Sequence, residues 1–299
     1  MTAQQLFTWA GGPIREPLAL GFRLLLALLL SGVVAGLGYR RHSLSESGVA
    51  GAMIVGTIVF TLGGWVWGLL LIAFFATSSA LSHFRAPQKQ ALADRFAKTG
   101  RRDLAQALAN GGLGAALALL LPLSGYAQPL LLFAFAGAMA AVNADTWATE
   151  LGVLSARKPR LITTGEAVEP GSSGAVSWLG LAAAFAGAWL IGFLALAFQV
   201  MQGWLTHTPQ SARLAWLPLA VAVGGFAGAL VDTLLGATVQ ATYYCLQCGV
   251  ETEQPVHRCG RQPIFLRGWH WLDNDWVNLL SSLVGALVAA GLGWLVLYL

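Results

Sequence analysis

Polar residues in this chain are confined to short stretches, and long apolar blocks lie between them. A helix that crosses a bilayer needs about 20 mostly apolar residues. Eight stretches meet that need, roughly 18–38, 48–62, 65–83, 104–123, 129–153, 174–199, 214–240 and 276–298. Read as one helix, the second and third would run about 50 Å, too long for one crossing. Gly63-Gly64 between them offers a tight turn between two short crossings. The first block carries Arg23 and lacks a convincing cleavage site, so it reads as a span rather than a signal peptide. The expected fold is an all-α polytopic membrane protein of about eight transmembrane helices, a single integral membrane domain over 1–299. The polar stretch 241–275 is expected to be a loop inserted before the last helix.

Composition sharpens this picture. The chain is 57% hydrophobic and 10% charged, whereas soluble domains carry about 25% charged residues. The loops 39–47, 84–103, 154–173 and 241–275 contain 14 of the 17 Lys and Arg residues. With eight spans all four loops fall on one side, which the positive-inside rule makes cytoplasmic. Both termini are then expected outside the cytoplasm, in what reads as a bacterial cytoplasmic membrane, with the working chemistry on the cytoplasmic face. No nucleic-acid partner is expected, and the pattern sets no oligomeric state.

Acids within apolar spans are costly and are functional candidates by default. The fifth span ends in Asn143-Ala-Asp145-Thr146-Trp147-Ala-Thr149-Glu150-Leu-Gly152. At 100° per residue, its five polar residues other than Trp147 cover an arc of about 160°. Two carboxylates with amide and hydroxyl oxygens suit Mg²⁺. The plainer alternative is a polar helix end reaching headgroups. The seventh span repeats the theme with Asp232-Thr233, where Gly225, Gly228, Asp232 and Gly236 form one stripe. Such a stripe lets a partner helix approach and buries Asp232, which then needs a cation, an Arg, a proton or a structural hydrogen bond.

Arg102, Gln106, Asn110 and Gly114 follow at i+4 spacing in the fourth span. They suit a phosphate or nucleotide lining, or else a snorkelling Arg with interhelical amide bonds. Two Ser-Gly starts precede helices: Ser45-Glu-Ser47-Gly48, and Gly171-Ser172-Ser173-Gly174-Ala-Val-Ser177. Helix N-termini of this kind are natural phosphate sites, although Ser is also the ordinary N-cap. Ser-Gly followed by a later Asp-Thr occurs twice, ending at Asp145 and at Asp232, and hints at a degenerate repeat.

Cys245-Leu-Gln-Cys248 and His257-Arg-Cys259 use every cysteine of the chain. They supply four ligands for a closed structural zinc site, a small zinc knuckle in the loop 241–275, unless three reduced thiols merely cluster there. Trp271-Leu-Asp273-Asn274-Asp275-Trp276-Val-Asn278 enters the last span. Asp273, Asp275 and Asn278 concentrate oxygen ligands on the same face, although Asn274 or Asp275 could simply cap the helix. Trp269, Trp271 and Trp276 are expected at headgroup depth.

Taken in order, these motifs resemble the membrane family, long of unknown function, that includes the plant phytyl-phosphate kinase and an animal transmembrane relative. The resemblance runs from about Tyr39 to the C-terminus. It rests on Ser47-Gly48, on Gln106 with Asn110-Gly111-Gly112, on the Asn143–Gly152 segment and on Gly171–Ser177. Asp232-Thr233-Leu-Leu-Gly236-Ala and Asp273-Asn274-Asp275-Trp-Val-Asn278 complete it. Ala175 stands where the family has a second glycine. A Cys-rich loop like 245–259 marks the bacterial branch and is absent from plant-type members.

The resemblance implies a membrane kinase that moves a phosphoryl group from a nucleoside triphosphate, CTP among the candidates, to an isoprenoid alcohol monophosphate such as phytyl phosphate. Asp145, Glu150 and Asp232 would hold Mg²⁺. Ser47, Gly48, Arg102, Gln106, Asn110, Asn143, Thr146, Ser172, Ser173, Gly174, Ser177, Asp273, Asp275 and Asn278 would serve nucleotide and substrate. No GxxxxGK[ST] loop is present. The same residues also admit a cation-coupled transporter, a membrane cytidylyltransferase, or a scaffold whose zinc loop docks a partner.

Overall fold

The computed structural model describes residues 17–90, 101–125 and 128–299. Among them, seven helices are long and apolar enough to cross a membrane. They are α1 (Pro17–Arg40), α2 (Glu46–His83), α4 (Leu104–Leu120), α5 (Gln128–Gly152), α6 (Trp178–Thr206), α7 (Leu217–Thr238) and α8 (Asn274–Tyr298). A short α3 (Ala86–Gln90) follows α2, and single 3₁₀ turns extend α4 and precede α7.

The 38 residues of α2 do not form one rod. Gly64 has φ 72° and ψ −171°, a backbone state essentially reserved for glycine, and it breaks the helix. The two ends of α2 meet on the same face. His83 Nε2 lies 2.9 Å from the Arg41 carbonyl, and Arg102 bonds both Ser79 of the second leg and the backbone of Ser43 and Ser45 before the first. Legs 46–63 and 65–83 are each about 27 Å long, close to the hydrocarbon thickness. The expected pair of short crossings with a Gly63-Gly64 turn is therefore present, and seven helices make eight passes.

One face then collects 39–47, 79–90, 101–106, 153–177 and 239–273; this is called the loop face below. Exposed Trp residues flank the bundle at both ends, with Trp178, Trp269, Trp271 and Trp276 on the loop face and Trp204, Trp216 and Trp294 on the other. That is the placement of interfacial aromatic belts.

The centre of the bundle is α5, in which every residue from Leu132 to Ala144 is buried. It packs on α6, α7 and α8 through small residues. A Cβ on Gly137 or Gly224 would lie 2.4 or 2.6 Å from the Gly285 carbonyl oxygen, and one on Gly228 would lie 2.5 Å from Ala141 Cβ. Lipid tails are as apolar as Leu, so such close backbone approach supplies the packing that holds helices together. On the α2 side, Trp67 stacks on Phe135 at 4.2 Å.

The all-α bundle carries short strands on the loop face, and the span expected from 174 starts later. Residues 174–177 are not helical: β2 (Ala175–Val176) pairs antiparallel with β1 (Arg160–Leu161), and α6 begins at Trp178. The stretch 241–275 is a three-stranded antiparallel sheet in the order β4-β3-β5, built from β3 (Thr242–Cys245), β4 (Val250–Thr252) and β5 (Ile264–Arg267). Arg267 donates to the Gly236 and Ala237 carbonyls. A cation thus satisfies the last carbonyls of α7 and seats the sheet on the bundle.

Candidate functional site

The glycine-lined contact of α5 with α7 brings Asp145 and Asp232 together. A Cβ on Gly228 would lie 2.5 Å from Ala141 Cβ, so the two helices touch one turn below the acids. The Asp145 and Asp232 carboxyls are close neighbours in one cavity wall, near enough to act on each other. Ser281 of α8 donates to Asp232 Oδ2 at 3.1 Å. Both acids line a cavity of about 150 Å³ that opens toward the loop face, with room for on the order of ten water molecules.

The turn Ser172-Ser173-Gly174 walls this cavity. Gly174 has φ +77°, and a Cβ there would fall 2.4 Å from Ala237 Cα, so only glycine lets the turn lie flat on α7. Ser173 Oγ donates to the Gly236 carbonyl at 3.1 Å. Ser177 caps α6 by accepting from Gly180 N–H at 3.1 Å, and it donates to the Gly152 carbonyl at 3.2 Å. Thr149, Thr233, Gln240, Glu253 and Asn274 complete the polar lining. Gln240 is 2% exposed, and its Nε2 has no hydrogen-bond partner.

Glu150 is set apart from that pair. It pairs with Lys89 Nζ at 2.6 Å and accepts from Ser82 Oγ at 2.5 Å, both on the α2 side of α5. Arg102 is near, bonded to Ser79 Oγ at 3.0 Å and lying 5.8 Å from the centre of the Phe75 ring. Burial lowers the basicity of Arg102 from its usual value, and the charge of Glu150 opposes that shift. The single polar face drawn from the helical wheel is thus two faces. Asp145 looks to α7, and Glu150 looks to the end of α2, to Lys89 of α3 and to Arg102.

Other candidates fall away from the cavity. Asn143 is 0% exposed. It accepts from Thr77 Oγ1 at 3.0 Å and donates to the Gly187 carbonyl at 2.9 Å, fastening α2, α5 and α6. Thr146 donates to the Val142 carbonyl of its own helix. Ser47 lies at the α2–α4 junction, where its Oγ accepts from Leu104 N–H at 3.4 Å. A Cβ on Gly48 would lie 2.0 Å from the Arg102 carbonyl oxygen, so that glycine serves the same junction. Gln106 follows on α4, its backbone N–H capped by Asp103, and Asn110 Oδ1 is buried without a partner. Asp273 caps α8 by accepting from Asp275 and Trp276 N–H. From this segment Asn274 lines the cavity, whereas Asp273, Asp275 and Asn278 are not among its lining residues.

Cys245, Cys248, His257 and Cys259 present ligand atoms that all lie within 4.8 Å of one another. Cys245 Sγ and Cys259 Sγ are 3.7 Å apart, and His257 Nδ1 is 3.2 Å from Cys259 Sγ. A tetrahedron with Zn–S bonds of about 2.3 Å sets its sulfurs about 3.8 Å apart, so the donor set fits zinc. Gly249, at φ +69°, closes the knuckle by donating to the Cys245 carbonyl at 2.8 Å.

Sequence reading did not single out Gln240, Glu253 or Lys89. Gln240 had a signal, since Asp232, Gly236 and Gln240 continue one i+4 series. Glu253 had none, being one acid in a polar loop.

A bundle of apolar helices with its polar chemistry gathered at one end defines a polytopic integral membrane protein with a built site at that face. The chain belongs to the integral membrane protein family DUF92, whose sequence profile matches residues 29–286. It is similar to Protein PGR of Arabidopsis thaliana, 33% identical over 281 residues, which cover 90% of this chain and 96% of that protein. An uncharacterized membrane protein of Methanocaldococcus jannaschii is 31% identical over 89% of this chain and 92% of its own length. The chloroplastic Protein VTE6 of Arabidopsis thaliana is 26% identical over 82% of this chain and 64% of its own length. No solved structure matches the chain.

Proposed function

We propose that this protein is a Mg²⁺-dependent membrane kinase. It transfers the terminal phosphoryl group of a nucleoside triphosphate, such as CTP, to an isoprenoid alcohol monophosphate at the cytoplasmic face. The observation that carries this reading is the Asp145–Asp232 carboxyl pair. It lies in a cavity that also holds an unpaired amide donor, Gln240, and the Ser172-Ser173-Gly174 turn. Acids and phosphate-type donors in one cavity are what phosphoryl transfer requires, because that chemistry is largely positioning and charge neutralisation.

Asp145 and Asp232 would hold Mg²⁺, which when bound offsets the negative charge of the phosphates. Gln240 Nε2 and the hydroxyls of Ser172 and Ser173 orient phosphate oxygens. An oxygen of the lipid monophosphate forms the new bond to the terminal phosphorus, and the bond to the nucleoside diphosphate breaks. Lipid diphosphate and nucleoside diphosphate leave. Arg102, Lys89 and the other cations of the loop face draw anionic headgroups and nucleotide toward the surface. The Cys245–Cys248–His257–Cys259 cluster holds structural zinc in this reading. The Mg²⁺ role first given to Glu150 passes out of the site, because Lys89 occupies that carboxylate.

The cavity lies toward one end of the bundle, which favours an enzyme over a transporter whose site belongs near the midplane. Purified protein incubated with CTP or ATP and prenyl monophosphates of several lengths is expected to yield prenyl diphosphate and nucleoside diphosphate. Release of pyrophosphate would replace the kinase with a cytidylyltransferase. Absence of transfer, together with cation-driven solute uptake into vesicles, would replace it with a transporter.

A further inference from the structure

The cysteine–histidine cluster and the carboxylate cavity are joined by one short stretch of chain. Glu253 directly follows β4 and lines the cavity of Asp145 and Asp232, close enough for its charge to act on both. Its neighbours Thr252 and Gln254 are only 1% and 8% exposed, and Thr252 Oγ1 accepts from Gln254 N–H at 3.2 Å. The backbone at this position is therefore pressed against the bundle. The four zinc-type donors lie on both sides of Glu253 in sequence, Cys245 and Cys248 before it and His257 and Cys259 after it.

Three acids in one cavity do not by themselves make a ligand site. Gln240 supplies the independent reason, because its Nε2 is buried, unpartnered and part of the same wall. A buried N–H₂ group calls for an acceptor such as a phosphate oxygen. An anion held there, beside three carboxylates, needs a divalent cation between them.

We propose that Glu253 is the third carboxylate of the Asp145–Asp232 cation site, and that zinc in the cluster fixes its position. Zinc loading of the sheet thereby sets the affinity of the membrane cavity for a second divalent cation. This rests on the reading of Asp145 and Asp232 as a cation site. Without zinc, the segment from Cys245 to Cys259 loses its crosslink, Glu253 is no longer held over the cavity, and the two aspartates face the cation alone.

The test uses the full chain purified in detergent, with zinc measured by metal analysis and Mn²⁺ as the probe, its free fraction read by electron paramagnetic resonance. Wild type is expected to carry zinc and bind Mn²⁺. Glu253→Gln is expected to keep zinc and bind Mn²⁺ about tenfold or more weakly, as when a group supporting a metal site is removed. The Cys245→Ser, Cys248→Ser variant is expected to lose zinc and weaken Mn²⁺ binding by a similar factor, and adding Glu253→Gln to it is expected to cost little more. Wild-type Mn²⁺ affinity in Glu253→Gln, or in the zinc-free variant, overturns the proposal while leaving the aspartate site standing. Wild-type affinity in Asp145→Asn, or no Mn²⁺ binding by wild type, overturns both. Should the cysteine variant fail to fold, wild type stripped of zinc by a chelator and then dialysed replaces it. Restored Mn²⁺ affinity on adding zinc back is the expected result, and Mn²⁺ affinity indifferent to zinc overturns the link.

Discussion

Asp145 and Glu150 lie five residues apart on α5, yet the structure gives them different work. Glu150 meets Lys89 at 2.6 Å and Ser82 at 2.5 Å, with side chains of the ion pair 12% and 20% exposed for Lys89 and Glu150. Its charge is already answered. Asp145 meets another acid, Asp232, across a cavity. Two carboxylates placed against each other among apolar helices are expensive unless something positive joins them. The lesson is that the partner, rather than the position on the helix, separates an acid that holds the fold together from one that awaits a ligand.

The sharpest way to break this comparison is to exchange charge for amide at each acid. Asp145→Asn and Asp232→Asn are each expected to lower single-turnover transfer to a prenyl monophosphate by on the order of 10³ or more, with the folded protein still eluting normally in size-exclusion. Because both would hold one cation, the double variant is expected to be little worse than either single. Wild-type turnover in either folded variant would remove that acid from the site. Glu150→Gln is expected to do the reverse, keeping Mn²⁺ affinity near wild type. Thermal unfolding should show a loss of about 1–3 kcal/mol, as for a partly buried charge pair left half-made. A loss of Mn²⁺ binding without a loss of stability would reunite the two acids in one site.

Two smaller effects test the scaffold behind the comparison. Gly64→Ala forces a side chain onto φ 72°, ψ −171° and is expected to destabilise the protein by about 1–3 kcal/mol, seen as a lower denaturation midpoint. Asn143→Ala removes the bonds to the Thr77 hydroxyl, which keeps its bond to the Ala73 carbonyl, and to the Gly187 carbonyl, for about 1 kcal/mol or somewhat more. Since Asn143 does not touch the cavity, its effect should appear in stability and leave Mn²⁺ affinity unchanged. A specific loss of affinity in Asn143→Ala would return that residue to the site.

Much of this was legible in the chain itself. Span lengths, the Gly63-Gly64 turn and the one-sided loops follow from apolar run length and charge position, which are local properties. The Cys and His spacing located the ligand cluster for the same reason. The division of the Asn143–Gly152 segment was not legible. A helical wheel gives the angle between Asp145 and Glu150, but not which neighbour occupies each angle. The strands β3, β4 and β5 are three or four residues long in a polar stretch and carry too short a pattern to be read as alternation. Glu253 gains its meaning only from tertiary placement over α5 and α7.

The folded-back α2 also bears on how the chain enters a membrane. Its turn, Gly63-Gly64, is flanked by apolar residues and carries no charge. Neither leg alone holds an orientation signal, because the nearest cations are Arg40 and Arg41 before the first leg and Arg85 and Lys89 after the second. Those cations lie on one face and pull in the same direction. The two legs should therefore partition into the bilayer together, as a single hairpin inserted tip first. A segment that stopped after the first leg would leave Arg85 and Lys89 on the wrong side and carry every later helix in upside down. Correct biogenesis of the whole bundle thus depends on two glycines that touch neither the cavity nor the cysteine–histidine cluster.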